Sequence, residues 1–288
     1  MTPAEPEITI VEVGPRDGLQ NEARPIPTAL KIRLIDLLSA VGFRRIEAAS
    51  FVSPKWVPQM ADGSQVMAGI TRRPGTRYAA LTPNMKGYEA ARAAGVDEVA
   101  IFGAASEAFS RKNINCSIAE SIERFRPITE AARAHGMPVR GYISCVVACP
   151  YDGPIAPAEV ARVTELLFGL GCYEVSLGDT IGQGTPETVA AMLDAVLAAA
   201  PAGRLAGHFH DTNGRALESV AVSIERGLRV FDAACGGLGG CPYAPGAKGN
   251  LSTSKLARDL AAKGIGTGLD LDALSDAEDF VRELRALL

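Results

Sequence analysis

Short apolar segments alternate with longer amphipathic segments along most of the chain. Between the short segments, apolar residues recur at helical spacing, and within residues 28–42 one face carries Leu30, Leu34, Leu37, Leu38 and Val41. The short segments are rich in β-branched and small apolar residues, as expected of strands buried on both faces. These predicted strands are residues 8–13, 44–49, 77–81, 98–103, 139–146, 173–178, 205–210 and 230–235. The pattern therefore predicts eight β-then-α units.

Eight such units without a break in composition favour an α/β fold with one closed (β/α)8 (TIM) barrel. We expect a single domain over residues 1–288, in which residues from about 266 to 288 form extra C-terminal capping helices. A doubly wound sheet is the alternative, but neither a Rossmann fingerprint nor a phosphate-binding P-loop follows any predicted strand. Residues 236–250 are too rich in glycine and proline for a helix or a central strand, so we predict a mobile lid loop there.

Charge and composition narrow the class of partner and the location. The chain of 288 residues carries 29 basic and 33 acidic side chains, which argues against a nucleic-acid partner. No apolar run reaches the roughly 18 residues of a membrane helix, so no membrane partner is expected. The first ten residues show neither a secretion nor an import pattern, which predicts a cytoplasmic protein. None of the six cysteines forms a C-x-x-C pair, so a structural zinc site is not expected.

Ionisable side chains gather where the predicted strands end. In a barrel of this kind the active site lies at the C-terminal ends of the strands. His208 and His210 are two residues apart on one predicted strand, so both imidazoles point to the same face. Asp17 follows the first strand, and Asn250 closes the glycine-rich segment. His135 stands instead at a helix end, where a structural capping role is expected.

Two imidazoles, a carboxylate and an amide oxygen are suited to a divalent cation. Because no thiolate joins this set, Mg²⁺ or Mn²⁺ is favoured over zinc. Two histidines and one carboxylate would also suit Fe(II) in an oxygenase, which remains an alternative. Arg16 precedes Asp17 in a turn bracketed by Pro15 and Gly18, which could aim both side chains inward. Glu47 at the end of the second strand would then orient Arg16 rather than titrate.

Longer motifs resemble those of the 3-hydroxy-3-methylglutaryl-CoA lyase family over residues 8–267. The matching stretches are VEVGPRDGLQNE, SFVSPKWVPQM, IFGAASE, KNINCS, VRGY, SLGDTIG, HDT, GLGGCPYA and GNL. The Arg-Asp pair and H-x-H alone would indicate only a wider superfamily that includes isopropylmalate and homocitrate synthases. GLGGCPYA is the more specific part. The chain departs from the animal enzymes at Ala48–Ala49, Gln183 and Asn213, none of which is an expected ligand.

The resemblance implies a role for each matching residue. The metal ligands would be Asp17, His208, His210 and Asn250. The residues expected in catalysis are Arg16, Asp17, His208, Cys241 and Glu47, the last as the partner of Arg16. Substrate-binding residues would include Arg16, Gln20 and Asp179. The resemblance also implies an acyl-CoA substrate and a homodimer, without mitochondrial import.

The reaction implied is cleavage of 3-hydroxy-3-methylglutaryl-CoA into acetyl-CoA and acetoacetate. Asp17 or His208 would take the proton of the tertiary hydroxyl, and Arg16 would face the thioester carbonyl where negative charge develops. Cys241 would then protonate the enolate, since a thiol with a pKa near ~8.5 is protonated at neutral pH yet acidic enough to donate.

Contacts with CoA are less specifically indicated. Four residues after the third and fourth strands could meet its phosphates or pantetheine arm, or could form an ordinary solvated surface: Lys86, Arg111, Lys112 and Asn113. Three other functions are weighed: a condensing synthase, for which the chain has no room for the usual large C-terminal domain, a lyase for a related 3-hydroxyacyl-CoA, and a non-catalytic metal or acyl-CoA sensor.

Overall fold

Eight parallel strands form a closed barrel in the computed structural model, which describes residues 6–22, 24–239 and 249–287. Neighbouring strands around the barrel are β1-β8-β7-β6-β5-β4-β3-β2. The strands are β1 Thr9–Glu12, β2 Arg45–Ser50, β3 Arg77–Leu81, β4 Glu98–Ala104, β5 Val139–Ser144, β6 Glu174–Asp179, β7 Leu205–Phe209 and β8 Val230–Ala233. All eight predicted strands are thus confirmed, as is the TIM-barrel fold.

Helices surround the barrel and cover the outer faces of its strands. They are α1 Thr28–Val41, α2 Gly63–Gly69, α3 Met85–Ala93, α4 Glu107–Ile114, α5 Ile118–Ala134, α6 Pro157–Leu170, α7 Pro186–Leu197, α8 Ala216–Glu225, α9 Thr253–Ala262 and α10 Leu271–Leu287. Both α4 and α5 lie between β4 and β5. Among the helices of these described residues, none is long and apolar enough to cross a bilayer.

Strand β1 closes the barrel against β8 with a register of Thr9 opposite Val230 and Glu12 opposite Ala233. Strands β2 and β6 are buried at every position because helices cover one face and the barrel interior the other. In the final segment the structure shows one helix, α10, which packs against α1 and α9 in the outer layer. The predicted lid falls largely on residues 240–248, outside the described residues.

Candidate active site

The residues that follow β1 carry the first two side chains of the candidate site. Residues Gly14–Gly18 form one turn of π-helix directly after the strand. A wider turn of this kind is often found at functional sites. Gly14 leaves room for the Glu12 carboxylate, because a Cβ at that position would lie 2.5 Å from Oε1 of Glu12 and displace it. The turn therefore aims Arg16 and Asp17 at the C-terminal mouth of the barrel.

Arg16 is buried and held by two carboxylates. Its Nε and NH2 atoms lie 2.7 and 2.6 Å from Oε2 of Glu47, and its NH1 donates to Oδ1 of Asp17 at 2.6 Å. Glu47 lies beside a β-bulge, where the register of β2 against β3 shifts between Glu47 and Ala49. The guanidinium carbon lies 5.6 Å from the centre of the Tyr142 ring. Nε and NH1 donate hydrogen bonds to the two carboxylates and NH2 forms an ion pair with Glu47, so the orientation of the guanidinium is fixed.

Asp17, His208 and His210 form a candidate metal site. One ligand atom from each lies within 4.8 Å of the other two. The main indication that an ion binds here comes from His210. Its Nδ1 is buried and has no hydrogen-bond partner among the described residues. Such an orphaned buried nitrogen costs free energy unless another group occupies the site. The donor set of two imidazoles and a carboxylate therefore fits a divalent cation.

Asn250 lies against the same cluster. Its Nδ2 donates to Oδ2 of Asp17 at 2.8 Å and to the carbonyl of Leu238 at 3.2 Å. With Nδ2 turned to Asp17, Oδ1 is the atom that Asn250 could offer to a cation. An isolated β-bridge joins Asn250 to His210, and the backbone N–H of Asn250 donates to the carbonyl of Gly239 at 3.2 Å.

Cys241 lies outside the described residues. The residues on either side of the segment 240–248 are nevertheless placed beside the site, because Gly239 and Asn250 are hydrogen-bonded to each other. Gly239 also has a positive φ of 94°, and a Cβ there would lie 3.3 Å from the carbonyl oxygen of Asp17. The chain therefore enters and leaves residues 240–248 next to Asp17.

The electrostatics of the cluster separate its two histidines. Burial and the neighbouring His208 lower the pKa of His210 to about 4, so this imidazole is neutral and able to bind a cation. Burial also lowers the pKa of His208, but its hydrogen bond to Asp232 and the charges of Asp232 and Asp17 outweigh that effect and raise it. Burial alone would raise the pKa of Asp17, yet Arg16 and the histidines bring it down to about 2.

Other predicted site residues lie further out. Asp179, the last residue of β6, is buried and accepts from the backbone N–H groups of Gly184 at 2.7 Å and Gln183 at 3.1 Å. These hydrogen bonds hold the loop that precedes α7. Gln20 follows the Gly14–Gly18 turn and is half-buried. The proposed CoA residues are all exposed, on the first turn of α3 and along α4: Lys86, Arg111, Lys112 and Asn113.

Three residues next to the cluster were not identified from the sequence: Arg140 and Asp232, which are buried, and Tyr142, which is half-buried. Asp232 of β8 accepts from Nδ1 of His208 at 3.2 Å, and its own side chain is bound by Arg140. Tyr142 of β5 lies under Arg16. The available signal was an ionisable residue inside an otherwise apolar strand, since such a side chain must point into the barrel. Both Arg140 and Asp232 carry that signal.

A closed (β/α)8 barrel with these ionisable groups at its C-terminal mouth defines a barrel enzyme. Residues 7–281 match the HMGL-like family model. The chain belongs to the HMGL-like family. It is 58% identical over 275 residues to the mitochondrial hydroxymethylglutaryl-CoA lyase of Bos taurus, covering 96% of this chain and 85% of that one.

Further relatives agree with this membership. The 3-hydroxy-3-isohexenylglutaryl-CoA/hydroxy-methylglutaryl-CoA lyase of Pseudomonas aeruginosa is 58% identical over 271 residues, 94% of this chain and 90% of that one. The crystal structure of an HMG-CoA lyase from Brucella melitensis superposes with a TM-score of 0.96 at 65% identity, over 98% of this chain and 100% of that one. An HMG-CoA lyase from Acinetobacter baumannii, solved with coenzyme A and 3-methylmalate, has a TM-score of 0.93 at 40% identity, over 99% and 93% of the two chains.

Proposed function

We propose that this enzyme cleaves 3-hydroxy-3-methylglutaryl-CoA into acetyl-CoA and acetoacetate. The observation that carries the proposal is the pairing of two features at one mouth of the barrel. Asp17, His208 and His210 converge as a candidate cation site, and Arg16 is held beside them by Glu47 and Asp17. The high identity to hydroxymethylglutaryl-CoA lyases over nearly the whole chain supports the same reaction.

The cleavage requires a proton acceptor, a site for negative charge and a proton donor. A divalent cation would be held by Asp17, His208, His210 and Asn250. It would polarise the tertiary hydroxyl of the substrate. Either Asp17 or His208 is proposed to take the hydroxyl proton as the carbon–carbon bond breaks. The electron pair of that bond passes to the departing thioester, which becomes an enolate.

Arg16 is the residue proposed to stabilise that enolate. Its guanidinium is already oriented by Glu47 and Asp17 before substrate arrives, so little reorganisation is needed as charge develops on the thioester oxygen. We propose that Cys241 then gives its proton to the enolate carbon. The family resemblance and the position of the flanking residues Gly239 and Asn250 beside Asp17 support this assignment.

Mg²⁺ or Mn²⁺ is proposed as the cation, because the donors are nitrogen and oxygen atoms without a thiolate. We also propose a homodimer, testable by light scattering on a sizing column.

The CoA moiety is proposed to meet Lys86 and the exposed face of α4 that carries Arg111, Lys112 and Asn113. Gln20 and Asp179 are proposed to help bind the acyl portion. A cytoplasmic location is proposed as well; relatives are named for both the mitochondrion and the cytoplasm.

A second substrate is favoured by one specific observation. The relative from Pseudomonas aeruginosa is named for both the methyl and the isohexenyl 3-hydroxyglutaryl-CoA thioesters. The reacting groups of the two thioesters are the same, and only the substituent at the third carbon differs. We therefore propose 3-hydroxy-3-isohexenylglutaryl-CoA as the alternative substrate, to be compared by kcat/KM.

The test is release of acetoacetate and acetyl-CoA from 3-hydroxy-3-methylglutaryl-CoA by metal-stripped enzyme. We expect both products only after Mg²⁺ or Mn²⁺ is added, and loss of this response in His210→Asn. His135→Asn is the matched control, because His135 pairs with Tyr88 at 2.7 Å on the outside of the barrel and should retain activity. Release that survives a chelator would contradict the cation site, and no release with either thioester would contradict the reaction.

Cys241→Ser separates the lyase from a binding protein. We expect the variant to retain affinity for the acyl-CoA and to lose most of its turnover, because a serine hydroxyl is too weak an acid to protonate the enolate. Unchanged cleavage by this variant would overturn the role of the thiol.

A further inference from the structure

Charged side chains form a continuous buried chain inside the barrel beneath the candidate site. Glu174, at the start of β6, accepts from Arg45 at 2.7 and 3.2 Å and from Nε of Arg140 at 2.8 Å. Arg140 in turn reaches Asp232 of β8, and Asp232 reaches His208. This series of charged side chains therefore runs from the first residues of β2 and β6 up to the candidate cation site.

Arg140 is the branch point of this chain. Its side chain is 2% exposed, and each of its three guanidinium nitrogens has a different task. Nε binds Glu174, NH2 donates to Oδ1 of Asp232 at 2.8 Å, and NH1 donates both to Oδ2 of Asp232 at 3.1 Å and to the hydroxyl of Tyr142 at 2.8 Å. Only a planar guanidinium can bind a carboxylate at two points and a phenol at the same time.

The first branch leads through Asp232 to His208. Ser176 and His208 donate to the same oxygen of Asp232, at 2.7 and 3.2 Å, and this carboxylate is fully buried. Because the ionised carboxylate of Asp232 only accepts, Nδ1 of His208 carries the proton. In the neutral imidazole, Nε2 then keeps its lone pair, on the side facing Oδ2 of Asp17 at 3.9 Å. Asp232 thereby selects the tautomer that can bind a cation.

The second branch leads through Tyr142 to Arg16. The phenol is held by Arg140, and its ring lies 5.6 Å from the guanidinium carbon of Arg16 and edge-on to His208, with ring centres 6.3 Å apart. Burial raises the pKa of Tyr142 well above its usual value, so the ring stays neutral. Rotation of this ring would remove the surface against which Arg16 lies.

We propose that Arg140 is a positioning residue that orients both halves of the site, His208 through Asp232 and Arg16 through Tyr142. A purely structural role explains the residue less well, since buried ion pairs commonly stabilise a fold no better than apolar side chains of the same size. The inference rests on the proposed function for its link to turnover, but the orientation of His208 and the binding of a cation are measurable without it.

Arg140→Lys tests the proposal, with Arg45→Lys as matched control. Both substitutions retain a buried positive charge next to Glu174, but Arg45 contacts neither Asp232 nor Tyr142 in the described contacts. The tautomer of His208 is read by ¹⁵N NMR of histidine-labelled enzyme, which has only three histidines. Affinity for Mn²⁺ is read from the free-ion EPR signal, and kcat and KM are measured separately.

We expect Arg140→Lys to weaken Mn²⁺ binding by roughly 10- to 100-fold, the usual effect of losing support behind a ligand, and to lose the single Nδ1–H tautomer. Arg45→Lys should leave Mn²⁺ affinity within about twofold. An unchanged tautomer and Mn²⁺ affinity in Arg140→Lys, or an equal loss in both variants, would overturn the proposal. The His208 tautomer and the Mn²⁺ affinity are measured without turnover. A wild-type enzyme without lyase activity would therefore contradict the proposed function, while these two measurements would still test the role of Arg140.

Two further variants keep the test decisive if Arg140→Lys does not fold. Asp232→Asn removes the carboxylate that joins Arg140 to His208 but retains Tyr142, so Mn²⁺ affinity should fall. Tyr142→Phe retains the ring but loses the hydrogen bond to Arg140, so kcat should fall while Mn²⁺ affinity is unchanged. Wild-type behaviour of both variants would overturn the proposal.

Discussion

Arg16 shows how single residues from separate strands make one reactive group. The guanidinium follows β1, its main carboxylate partner Glu47 comes from β2, and the ring beneath it, Tyr142, comes from β5. Burial opposes the charge on Arg16, but the charges of Glu47 and Asp17 more than compensate and raise its pKa above the usual value. Arg16 is therefore positively charged at neutral pH.

Glu47→Gln tests this arrangement at the level of one side chain. The substitution retains the shape of the side chain but removes the buried counter-charge of Arg16. We expect kcat to fall at least ~10-fold, equivalent to about 1.4 kcal/mol in the activation free energy, with little change in KM. Stability should also fall, by roughly 1–3 kcal/mol, because a buried arginine then lacks one ionic partner. Steady-state kinetics and urea unfolding measure the two effects.

Asp62→Asn is the control for that prediction. Asp62 pairs with buried Lys31 at 2.7 Å, between α1 and the start of α2 and away from Arg16. The control should lose stability without losing kcat. Equal loss of kcat in both variants would mean that the effect of Glu47→Gln reflects stability alone.

Among the elements, the helix ends follow most directly from local sequence. Thr185 caps α7 with its side chain, accepting from the backbone N–H of Thr188 at 3.3 Å, and Pro186 occupies the first helical position. Gly227 lies just beyond α8 in a left-handed conformation, with a φ of 92°. The π-helical turn Gly14–Gly18 is different, since its shape depends on Glu12 and on residues from the other end of the chain.

Ser117→Ala tests the capping of α5. Ser117 and Glu120 form a reciprocal capping box, in which Oγ accepts from the N–H of Glu120 at 3.1 Å and the Glu120 carboxylate accepts from the N–H of Ser117 at 2.7 Å. We expect a loss of about 1 kcal/mol in the free energy of unfolding. Kinetic constants should not change, and Ser117→Asp should restore the stability because aspartate also accepts at this position. A loss of activity would show that α5 supports the site directly.

On the scale of the whole molecule, Glu12 connects the first strand of the barrel, β1, to the residues that follow its last strand, β8. Its Oε1 accepts from the N–H groups of Gly14 at 2.8 Å and Cys235 at 2.9 Å, and its Oε2 accepts from the hydroxyl of Thr253 at 2.6 Å. Burial raises the pKa of Glu12 to about 7, although these three donors oppose the shift. One buried carboxyl group therefore adds to the backbone pairing that joins β1 to β8 and links both to α9.

The stability of the barrel should depend on pH through Glu12. The pKa of about 7 in the fold exceeds the ordinary value of 4.5, so the unfolded chain releases this proton first as the pH rises. Stability from this group should therefore decrease between about pH 4.5 and pH 7, by at most roughly 3 kcal/mol. The free energy of unfolding of the wild type in urea, minus that of Glu12→Gln, should therefore decrease as the pH rises over that range. Parallel pH profiles for the two proteins would contradict this.

We propose that α10 and the barrel form one folding unit. The ring of Phe280 lies 4.6 Å from the guanidinium carbon of Arg33 on α1, and Arg285 donates to the carbonyls of Gly236 and Gly237 at 2.9 and 3.0 Å. Phe280→Ala should therefore lower the temperature of one common transition, at a cost of about 3 kcal/mol. Calorimetry that shows a separate early transition would contradict a single unit.

The linear order of apolar and polar residues determined the eight strands, the helices between them and the caps at their ends, because these depend on residues close together in the chain. The clustering of Asp17, His208 and His210 was predictable only in outline, from the rule that strand ends meet at one mouth of a barrel. Only the tertiary structure decided which partners those residues have. Arg140 and Asp232 are 92 residues apart, and Glu12 and Thr253 are 241 apart. Such pairs are set by barrel closure, strand register and burial, which no local pattern encodes.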